Sequence, residues 1–160
     1  MQKKMLIVRN MVENDLDAIA ALELETFSDA WTWRGILDTF HQKQAFVTVA
    51  EKDGQIAGYC IVYFALEEAE IVRIAVGPAF RRQGVGRSLL DKVEQICQEK
   101  GFAHLLLDVR ESNASARAFY RDYGFGIDGI RKNFYDSPKE SAVLMSKAIP
   151  TLPTRNHYYL

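Results

Sequence analysis

The chain has 160 residues, 48% apolar and 26% charged, with a net charge of −1, which is the composition of one globular domain with its own core. The near-zero charge argues against broad nucleic-acid binding, and no apolar run suits a secretory signal or a membrane span, so we expect a cytoplasmic protein. Cys60 lies in an apolar strand and Cys97 on a long helix, which favours reduced core thiols over a disulfide. His41, His104 and His157 lack the spacing of metal ligands, so no metal is predicted. The sequence predicts no particular oligomeric state.

Charge is unevenly distributed along the chain. Residues 1–70 hold 6 basic and 12 acidic residues, whereas residues 71–132 hold 11 basic and 7 acidic ones. The basic centre favours a phosphate-bearing cofactor. The acidic first half, where Glu67, Glu68 and Glu70 are clustered, favours a cationic substrate, and the alternative for these glutamates is an ordinary solvated surface.

The first half of the chain predicts two short helices and a hairpin. Residues 6–9 form a first strand, and Asn14 is predicted to cap a helix that runs to about Phe27. A second short helix follows Thr32. Residues 45–51 and 55–65 are strands on either side of an Asp53-Gly54 turn, and residues 70–76 are a fourth strand. The apolar stripe of the first helix comprises Leu16, Ile19, Ala20 and Leu24.

The second half predicts two more helices and three strands. A long helix begins near Val85, inside a loop that contains Gly84 and Gly86, and ends at Gly101. L-L-L-D-V within residues 104–109 is a largely buried strand. Two strands joined by one helix are expected to lie parallel, with a right-handed crossover. Asn113 caps a further helix that runs through Tyr123 and ends at Gly124, and strands at 125–131 and 140–147 complete the sheet.

The stretch I-V-R-I-A-V-G-P-A-F-R-R-Q-G-V-G-R-S-L-L, residues 71–90, has the parts of a phosphate site. Gly84 and Gly86 can adopt positive φ and let a ligand approach the main chain, and the helix that follows offers unpaired N–H groups and the positive end of its dipole. Arg81, Arg82 and Arg87 add cations nearby. The spacing matches neither the dinucleotide G-x-G-x-x-G motif nor the nucleotide-triphosphate loop.

Two motifs carry a resemblance to a known family. R-R-Q-G-V-G-R resembles the Q/R-x-x-G-x-G/A signature with which the GNAT superfamily of N-acetyltransferases holds the pyrophosphate of acetyl-coenzyme A. L-L-D-V-R-E-S-N-A-S-A-R-A-F-Y-R-D-Y-G-F, residues 106–125, resembles the second GNAT signature, and the similarity covers roughly residues 5–147.

The resemblance is closer still to the RimI-type subfamily, which acetylates the N-terminal alanine of ribosomal small-subunit protein eighteen. The loop around Phe27, Trp31 and Thr32 and the run R-K-N-F-Y at 131–135 are similar to that subfamily. Three residues depart from its pattern: Ala30 stands where proline is usual, Ser141 where an acidic residue is usual, and Asp108 where it has a catalytic glutamate.

The resemblance implies a GNAT-like α/β fold. We expect a mixed, strongly twisted sheet of six to seven strands, flanked by four helices, with one parallel strand pair that splays into a V where the ligand binds. The acetyltransferase domain is expected to span residues 1–147, and residues 148–160 form a C-terminal tail.

The resemblance also assigns cofactor residues for acetyl-coenzyme A. Ile74, Ala75 and Val76 are expected to offer main-chain groups to the pantetheine, and the Val76 N–H to polarise the thioester carbonyl. Asn113 contacts the cofactor, although its alternative role as a helix cap is compatible with this. The pyrophosphate is expected to be enclosed by Arg82, Gln83, Gly84, Val85, Gly86 and Arg87.

The same resemblance implies two catalytic residues. Asp108 accepts the proton of the acceptor amine, through water because it is one methylene shorter than glutamate, and Tyr120 protonates the departing sulfur. The alternatives are an ordinary carboxylate that satisfies Arg110, Arg73 or a helix N-terminus, and a tyrosine that only packs in the core. Substrate-binding residues are predicted to be Trp31, Glu67, Glu68 and Tyr135.

The predicted reaction is direct acetyl transfer to the α-amine of a protein N-terminus, without an acyl-enzyme, because neither cysteine has a positioned base. Two alternatives remain: a GNAT enzyme that acetylates lysine side chains or small amines, and a non-catalytic acyl-coenzyme-A-binding regulator. The tail suggests a further hypothesis, in which Arg155, Tyr158 and Tyr159 visit the acceptor groove.

Overall fold

The computed structural model describes residues 5–151, which form seven strands and four helices. The helices are α1 (Leu16–Thr26), α2 (Trp33–Phe40), α3 (Val85–Lys100) and α4 (Ala114–Tyr123). The strands are β1 (Leu6–Asn10), β2 (Ala45–Lys52), β3 (Gln55–Ala65), β4 (Glu68–Val76), β5 (His104–Arg110), β6 (Gly126–Asp136) and β7 (Lys139–Ala148). Short 3-10 turns at Glu13–Asp15 and Pro78–Phe80 precede α1 and α3.

All seven strands belong to one mixed sheet with the order β1-β2-β3-β4-β5-β7-β6. Within the described residues β4 and β5 are the only parallel neighbours, and α3 connects them, as expected for strands that need a crossover. The predicted mixed α/β sheet with four helices is confirmed. None of the described helices has both the length and the apolar character that crossing a membrane requires.

Helices cover both faces of the sheet. On one face α3 buries Leu89 and Val93 against a cluster that includes Cys60 of β3. On the other face α1 and α2 bury Ile19 and Ile36 in a second cluster. A side chain of the central strands therefore faces either α3 or the α1–α2 pair. Only side chains on the same face of the sheet can meet on one side of a cleft.

The start of α1 differs from the prediction. Asn14 does not cap the helix, because it lies inside the preceding 3-10 turn. Asp15 organises this corner instead: its carboxylate accepts the Val12 N–H at 2.8 Å and pairs with the Arg9 guanidinium at 2.7 Å. The Arg9 guanidinium holds the pKa of Asp15 below its usual range.

The buried stripe of α1 also differs from the prediction. Leu24 is 75% exposed, whereas Glu23 beside it is completely buried. Glu23 follows Leu16 by seven residues and Ile19 by four, so it lies on the same helix face as these two buried residues. The helix therefore turns a carboxylate, and not a leucine, into the sheet.

The last two strands extend beyond their predicted limits, most of all β6, which continues to Asp136. After β7, Ile149 is buried and its N–H donates to the Ala103 carbonyl at 2.8 Å. The predicted tail therefore begins as an attached segment. Arg155, Tyr158 and Tyr159, which carry the hypothesis about the acceptor groove, lie outside the described residues.

Candidate active site

The single parallel pair separates in the middle of the sheet. β4 and β5 are paired only as far as Ile71 and Leu107, although β4 continues to Val76. β5 stays paired with β7 through Arg110, so β4 is the strand that leaves. A cleft opens between the second half of β4 and the end of β5, and Asp108 is the first residue of β5 beyond the last pair.

A β-bulge in β4 coincides with the separation. Ile71 pairs with Val62 of β3, whereas Arg73 pairs with Ile61, so Val72 is an extra residue in β4. Such bulges bend a strand and increase its local twist. The bulge therefore gives a local physical reason for β4 to turn away from β5.

The bulge also places two consecutive residues on the same face. Ile71 and Ile74 pack on the α3 side of the sheet, whereas Val72 packs on the α1–α2 side. Arg73 follows Val72 onto the α1–α2 side, because it forms an ion pair with Glu23 of α1. A regular strand would alternate and would point Arg73 to the opposite face.

The loop before α3 has the conformation of an anion site. Arg82 and Gly84 both have positive φ, +61° and +80°, and such left-handed residues turn main-chain N–H groups toward one side of a loop. The helix starts directly after them at Val85, with its N-terminal N–H groups at the same place. Arg81, Arg82 and Arg87 are exposed around the loop.

The two glycines of this loop leave room for different neighbours. A Cβ on Gly84 would meet no protein atom within 4 Å, so the space beside it is open to a ligand. A Cβ on Gly86 would lie 3.1 Å from Cζ of Phe119, so Gly86 allows α4 to pack closely. These features fit a diphosphate group, which would contact the main chain here without a side chain in the way.

Val85 and Gln83, which also belong to the predicted pyrophosphate set, have side chains that make other contacts. Val85 is 1% exposed because its side chain is in the core, so only its main chain faces the loop. The Gln83 side chain donates to the Ala79 carbonyl at 3.1 Å and contacts Lys52 Nζ, so it braces the loop against the β2–β3 hairpin.

The carboxylate of Asp108 is partly buried, which disfavours its charged form. Burial raises its pKa, although the nearby cation of Arg131 acts in the opposite direction. Burial and the charge of Asp108 also raise the pKa of Glu70. Perturbed carboxylates at a cleft are typical of functional sites.

Tyr120 belongs to the core and is 7% exposed. Its ring contacts those of Phe119 and Phe125, with centroid distances of 5.3 and 5.7 Å. Burial raises the pKa of its hydroxyl, and the nearby Cys60 and Tyr135 add to this effect. A phenol is protonated at neutral pH in any case, as a proton donor must be, and burial reinforces that state here.

Tyr135 connects Asp108 and Tyr120 electrostatically. Burial and the charge of Asp108 raise its pKa to about 12, and Tyr135 in turn affects the pKa of Tyr120. The guanidinium of Arg110 lies 4.3 Å from the Tyr135 ring centroid and pairs with Glu140 at 3.4 Å. Arg110 thus attaches the β6–β7 hairpin to the end of β5, next to the cleft.

The remaining predicted residues occupy different places. Asn113 caps α4, since its Oδ1 accepts the Ala116 N–H at 3.2 Å, and it is exposed beside the end of β5.

Trp31 is half-buried on the α1–α2 side. Glu67 and Glu68 are exposed at the paired end of β4, so the structure does not bring Glu67 to the cleft. Ile74, Ala75 and Val76 lie on the edge of β4 that has left β5.

Glu23 and Arg73, which form an ion pair beside the cleft, are not among the residues that the sequence predicts for the site. Glu23 had a signal, because it is a carboxylate within the apolar spacing of α1. Arg73 had none, because its orientation depends on the bulge. Among residues 5–151 no three His, Cys, Asp or Glu side chains cluster as metal ligands would.

The open cleft between β4 and β5, the loop before α3 and the partly buried carboxylate of Asp108 are features that suit an acetyltransferase. The sequence model of the Acetyltransferase (GNAT) family matches residues 13–125, and the chain belongs to this family. It is an N-acetyltransferase by this membership and by the names of its relatives.

Relatives specify the kind of N-acetyltransferase that the chain resembles. The putative [ribosomal protein bS18]-alanine N-acetyltransferase of Bacillus subtilis (strain 168) is 36% identical over 143 residues, which cover 86% of this chain and 92% of the relative. The [ribosomal protein bS18]-alanine N-acetyltransferase of Escherichia coli (strain K12) is 34% identical over 136 residues, 83% and 92% of the two chains.

A solved structure supports the same resemblance. The crystal structure of the ribosomal-protein-S18-alanine N-acetyltransferase from Escherichia coli has a TM-score of 0.84 and 30% identity, and the match covers 97% of this chain and 100% of that one. The resemblance to the RimI-type subfamily is therefore confirmed.

The loop geometry predicts that Gly84→Ala weakens coenzyme A binding at least about tenfold, because the methyl group enters the open space where phosphate approaches. Gly101→Ala is the matched control. Gly101 also has positive φ, +78°, with no protein atom near its Cβ, but it lies at the other end of α3. Both variants should lose similar stability in thermal melts, and calorimetric titration should show lost affinity for Gly84→Ala alone. Equal affinity losses would contradict the phosphate-loop assignment.

The raised pKa of Asp108 predicts that Asp108→Asn is more stable than the wild type at pH 7. The unfolded aspartate ionises near pH ~3.9 and the folded one at higher pH, so the wild type loses stability as pH rises through that window. Melting temperatures measured from pH 4 to 8 should diverge as pH rises.

Glu140→Gln provides the control with the opposite sign. Hydrogen bonds from Ser112 lower the pKa of Glu140, so its carboxylate stabilises the fold above the unfolded pKa and loses this effect in acid. This variant should melt below the wild type at pH 7 and approach it in acid. If Asp108→Asn behaved in the same way as Glu140→Gln, Asp108 would be a structural carboxylate.

Proposed function

We propose that this enzyme transfers the acetyl group of acetyl-coenzyme A to the α-amine of a protein N-terminus, and that its acceptor is the N-terminal alanine of ribosomal protein bS18. The observation that carries the proposal is the similarity, over more than four fifths of the chain, to relatives named for this reaction. The position of Asp108 at the point where β4 and β5 separate supports it.

The cofactor would lie in the cleft with its diphosphate at the start of α3. Acetyl-coenzyme A supplies the activated acetyl group as a thioester. The free edge of β4 at Ile74, Ala75 and Val76 offers main-chain groups to the pantetheine, in the manner of an added strand. The Val76 N–H is the donor that we assign to the thioester carbonyl. Asn113, beside β5, completes the cofactor set.

Asp108 takes the proton of the attacking amine, through a water molecule because its side chain is short. The amine nitrogen then forms its bond to the acetyl carbon while the bond from that carbon to sulfur breaks. An α-amine has a pKa of about 8 and a lysine amine about 10.4, so an N-terminus is far more often neutral near pH 7. A carboxylate of modestly raised pKa is sufficient for such an acceptor.

Tyr120 gives its proton to the departing sulfur. The chemistry of the cysteines supports direct transfer without an acyl-enzyme, because Cys60 and Cys97 are both buried. Burial raises the pKa of both thiols, to about 11 for Cys97, so neither supplies a thiolate nucleophile at neutral pH.

The acceptor would approach from the α1–α2 side, where Trp31 and Tyr135 flank the cleft. A groove of about 300 Å³ lies beside the paired part of β4 and β5, with Glu68, Glu70 and Leu106 among its lining residues. Leu106 and Asp108 share one face of β5, so the groove leads toward the base. These carboxylates suit a cationic acceptor segment, and Glu67 would act only at longer range. A ribosomal-protein acceptor implies a cytoplasmic enzyme.

Tyr120→Phe is expected to lower kcat about 100-fold or more, because only the proton donor is removed while the ring still packs. Coenzyme A affinity and melting temperature should remain close to those of the wild type. Phe119→Leu, on the same helix, is the packing control and should lower stability more than turnover. A Tyr120→Phe enzyme with full kcat would make Tyr120 a core residue only.

Three acceptors test the proposed function by thiol release from acetyl-coenzyme A. We expect turnover with a basic peptide that begins with alanine, and little with the same peptide blocked at its N-terminus but containing lysine, or with spermidine. Preference for the blocked peptide or for spermidine would place the enzyme among lysine or small-amine acetyltransferases. Asp108→Asn should remove the rising limb of the pH–kcat profile with the preferred acceptor, and Asp108→Glu should retain activity.

A further inference from the structure

A buried ion pair joins the acceptor side of the cleft to the sheet. Glu23 of α1 is completely buried, and its carboxylate accepts hydrogen bonds from the Tyr59 hydroxyl at 2.6 Å and the Trp31 N–H at 2.7 Å. The guanidinium of Arg73 lies 3.3 Å from the same oxygen that accepts the Trp31 N–H. The α1–α2 connection is therefore attached to the helix through one carboxylate.

Arg73 attaches the same connection from the side of the sheet. Its Nη2 donates to the Asp29 carbonyl at 2.9 Å, and its guanidinium lies 4.2 Å from the ring centroid of Phe27 and 5.4 Å from that of Trp31. A planar guanidinium can make these hydrogen bonds and ring contacts together, which an ammonium cannot. Three residues of the segment 27–31 thus depend on one cation.

Stability alone does not account for such a pair, because the desolvation of a buried carboxylate and a largely buried guanidinium offsets much of their attraction. Its position is informative: Arg73 lies on the acceptor side only because of the bulge that separates β4 from β5. Its charge is also among those that lower the pKa of Tyr135, against the larger effects of burial and Asp108, so Arg73 acts on a second residue of the acceptor side.

We infer that Glu23 and Arg73 are positioning residues that hold the segment 27–31 as the acceptor-binding wall of the cleft. This inference rests on the proposed function, because it concerns the acceptor that the cleft receives. Neither residue touches the reacting atoms: Glu23 acts through the Trp31 main chain and Arg73 through Asp29 and the two aromatic rings. Their loss should affect acceptor binding and leave the cofactor side unchanged.

Glu23→Gln keeps the shape of the side chain and removes its charge. We expect the KM for the acceptor peptide to rise about tenfold, with kcat and coenzyme A affinity within about twofold of the wild type. Tyr59→Phe is the matched control, because it removes a hydrogen bond from the other oxygen of the same buried carboxylate without contacting the segment 27–31. It should lower the melting temperature and leave the peptide KM unchanged.

Arg73→Lys keeps a positive charge opposite Glu23 and provides a variant expected to fold if Glu23→Gln does not. It should raise the peptide KM by a smaller factor, about threefold, because the ammonium reaches fewer of the contacts. An unchanged peptide KM in a folded Glu23→Gln or Arg73→Lys enzyme, or an equal rise in Tyr59→Phe, would overturn the inference.

Trp31 gives a readout that needs no acceptor. In a Trp33→Phe background Trp31 is the sole tryptophan, and Glu23→Gln should increase its quenching by acrylamide, whereas Tyr59→Phe should not. Failure of the proposed function would appear as a wild-type enzyme that shows no turnover with the alanine peptide. Failure of the inference would appear as unchanged Trp31 quenching, whichever amine proves to be the acceptor.

Discussion

The structure depends on the point where β4 leaves β5. A sheet normally continues its ladder to the end of the shorter strand, but here an extra residue at Val72 bends β4 after only four parallel pairs. The bend leaves a strand edge free for a ligand and brings Asp108 to the point of separation. It also turns Arg73 toward α1. One local irregularity in the backbone therefore accounts for the free edge of β4, the position of Asp108 and the direction of Arg73.

The ionisable groups around this cleft differ in how deeply they are buried. Exposed arginines surround the anion loop, where a phosphate ligand would bring its own negative charge. Toward the interior, burial raises the pKa of Tyr120 and Tyr135, whose hydroxyls are neutral near pH 7 in any case. Asp108 is between these extremes, partly buried and opposed by Arg131. A partly buried carboxylate, buried phenols and an exposed basic loop therefore lie within one small domain.

The acceptor side is built differently from the cofactor side. The anion loop uses main-chain groups and glycines, which tolerate little change in shape. The proposed acceptor wall depends on the carboxylate of Glu23 in α1, which is contacted by side chains of β3 and β4 and by the Trp31 main chain. Side-chain contacts of this kind can change between relatives without disturbing the cofactor site. This difference gives a physical route by which related enzymes with one cofactor can accept different amines.

The sequence by itself determined most of the elements and the glycine-containing loop before α3, because these depend on local patterns: strand alternation, the Asp53-Gly54 turn, glycines at both ends of α3 and the Asn113 cap of α4. It also placed Asp108 on the strand that borders the cleft. Only the tertiary structure decided that Glu23 and not Leu24 faces the sheet, because the donors that stabilise the buried carboxylate come from β3, β4 and a loop. The direction of Arg73 was likewise decided by a bulge, which is a property of strand pairing and leaves no local signal in the sequence.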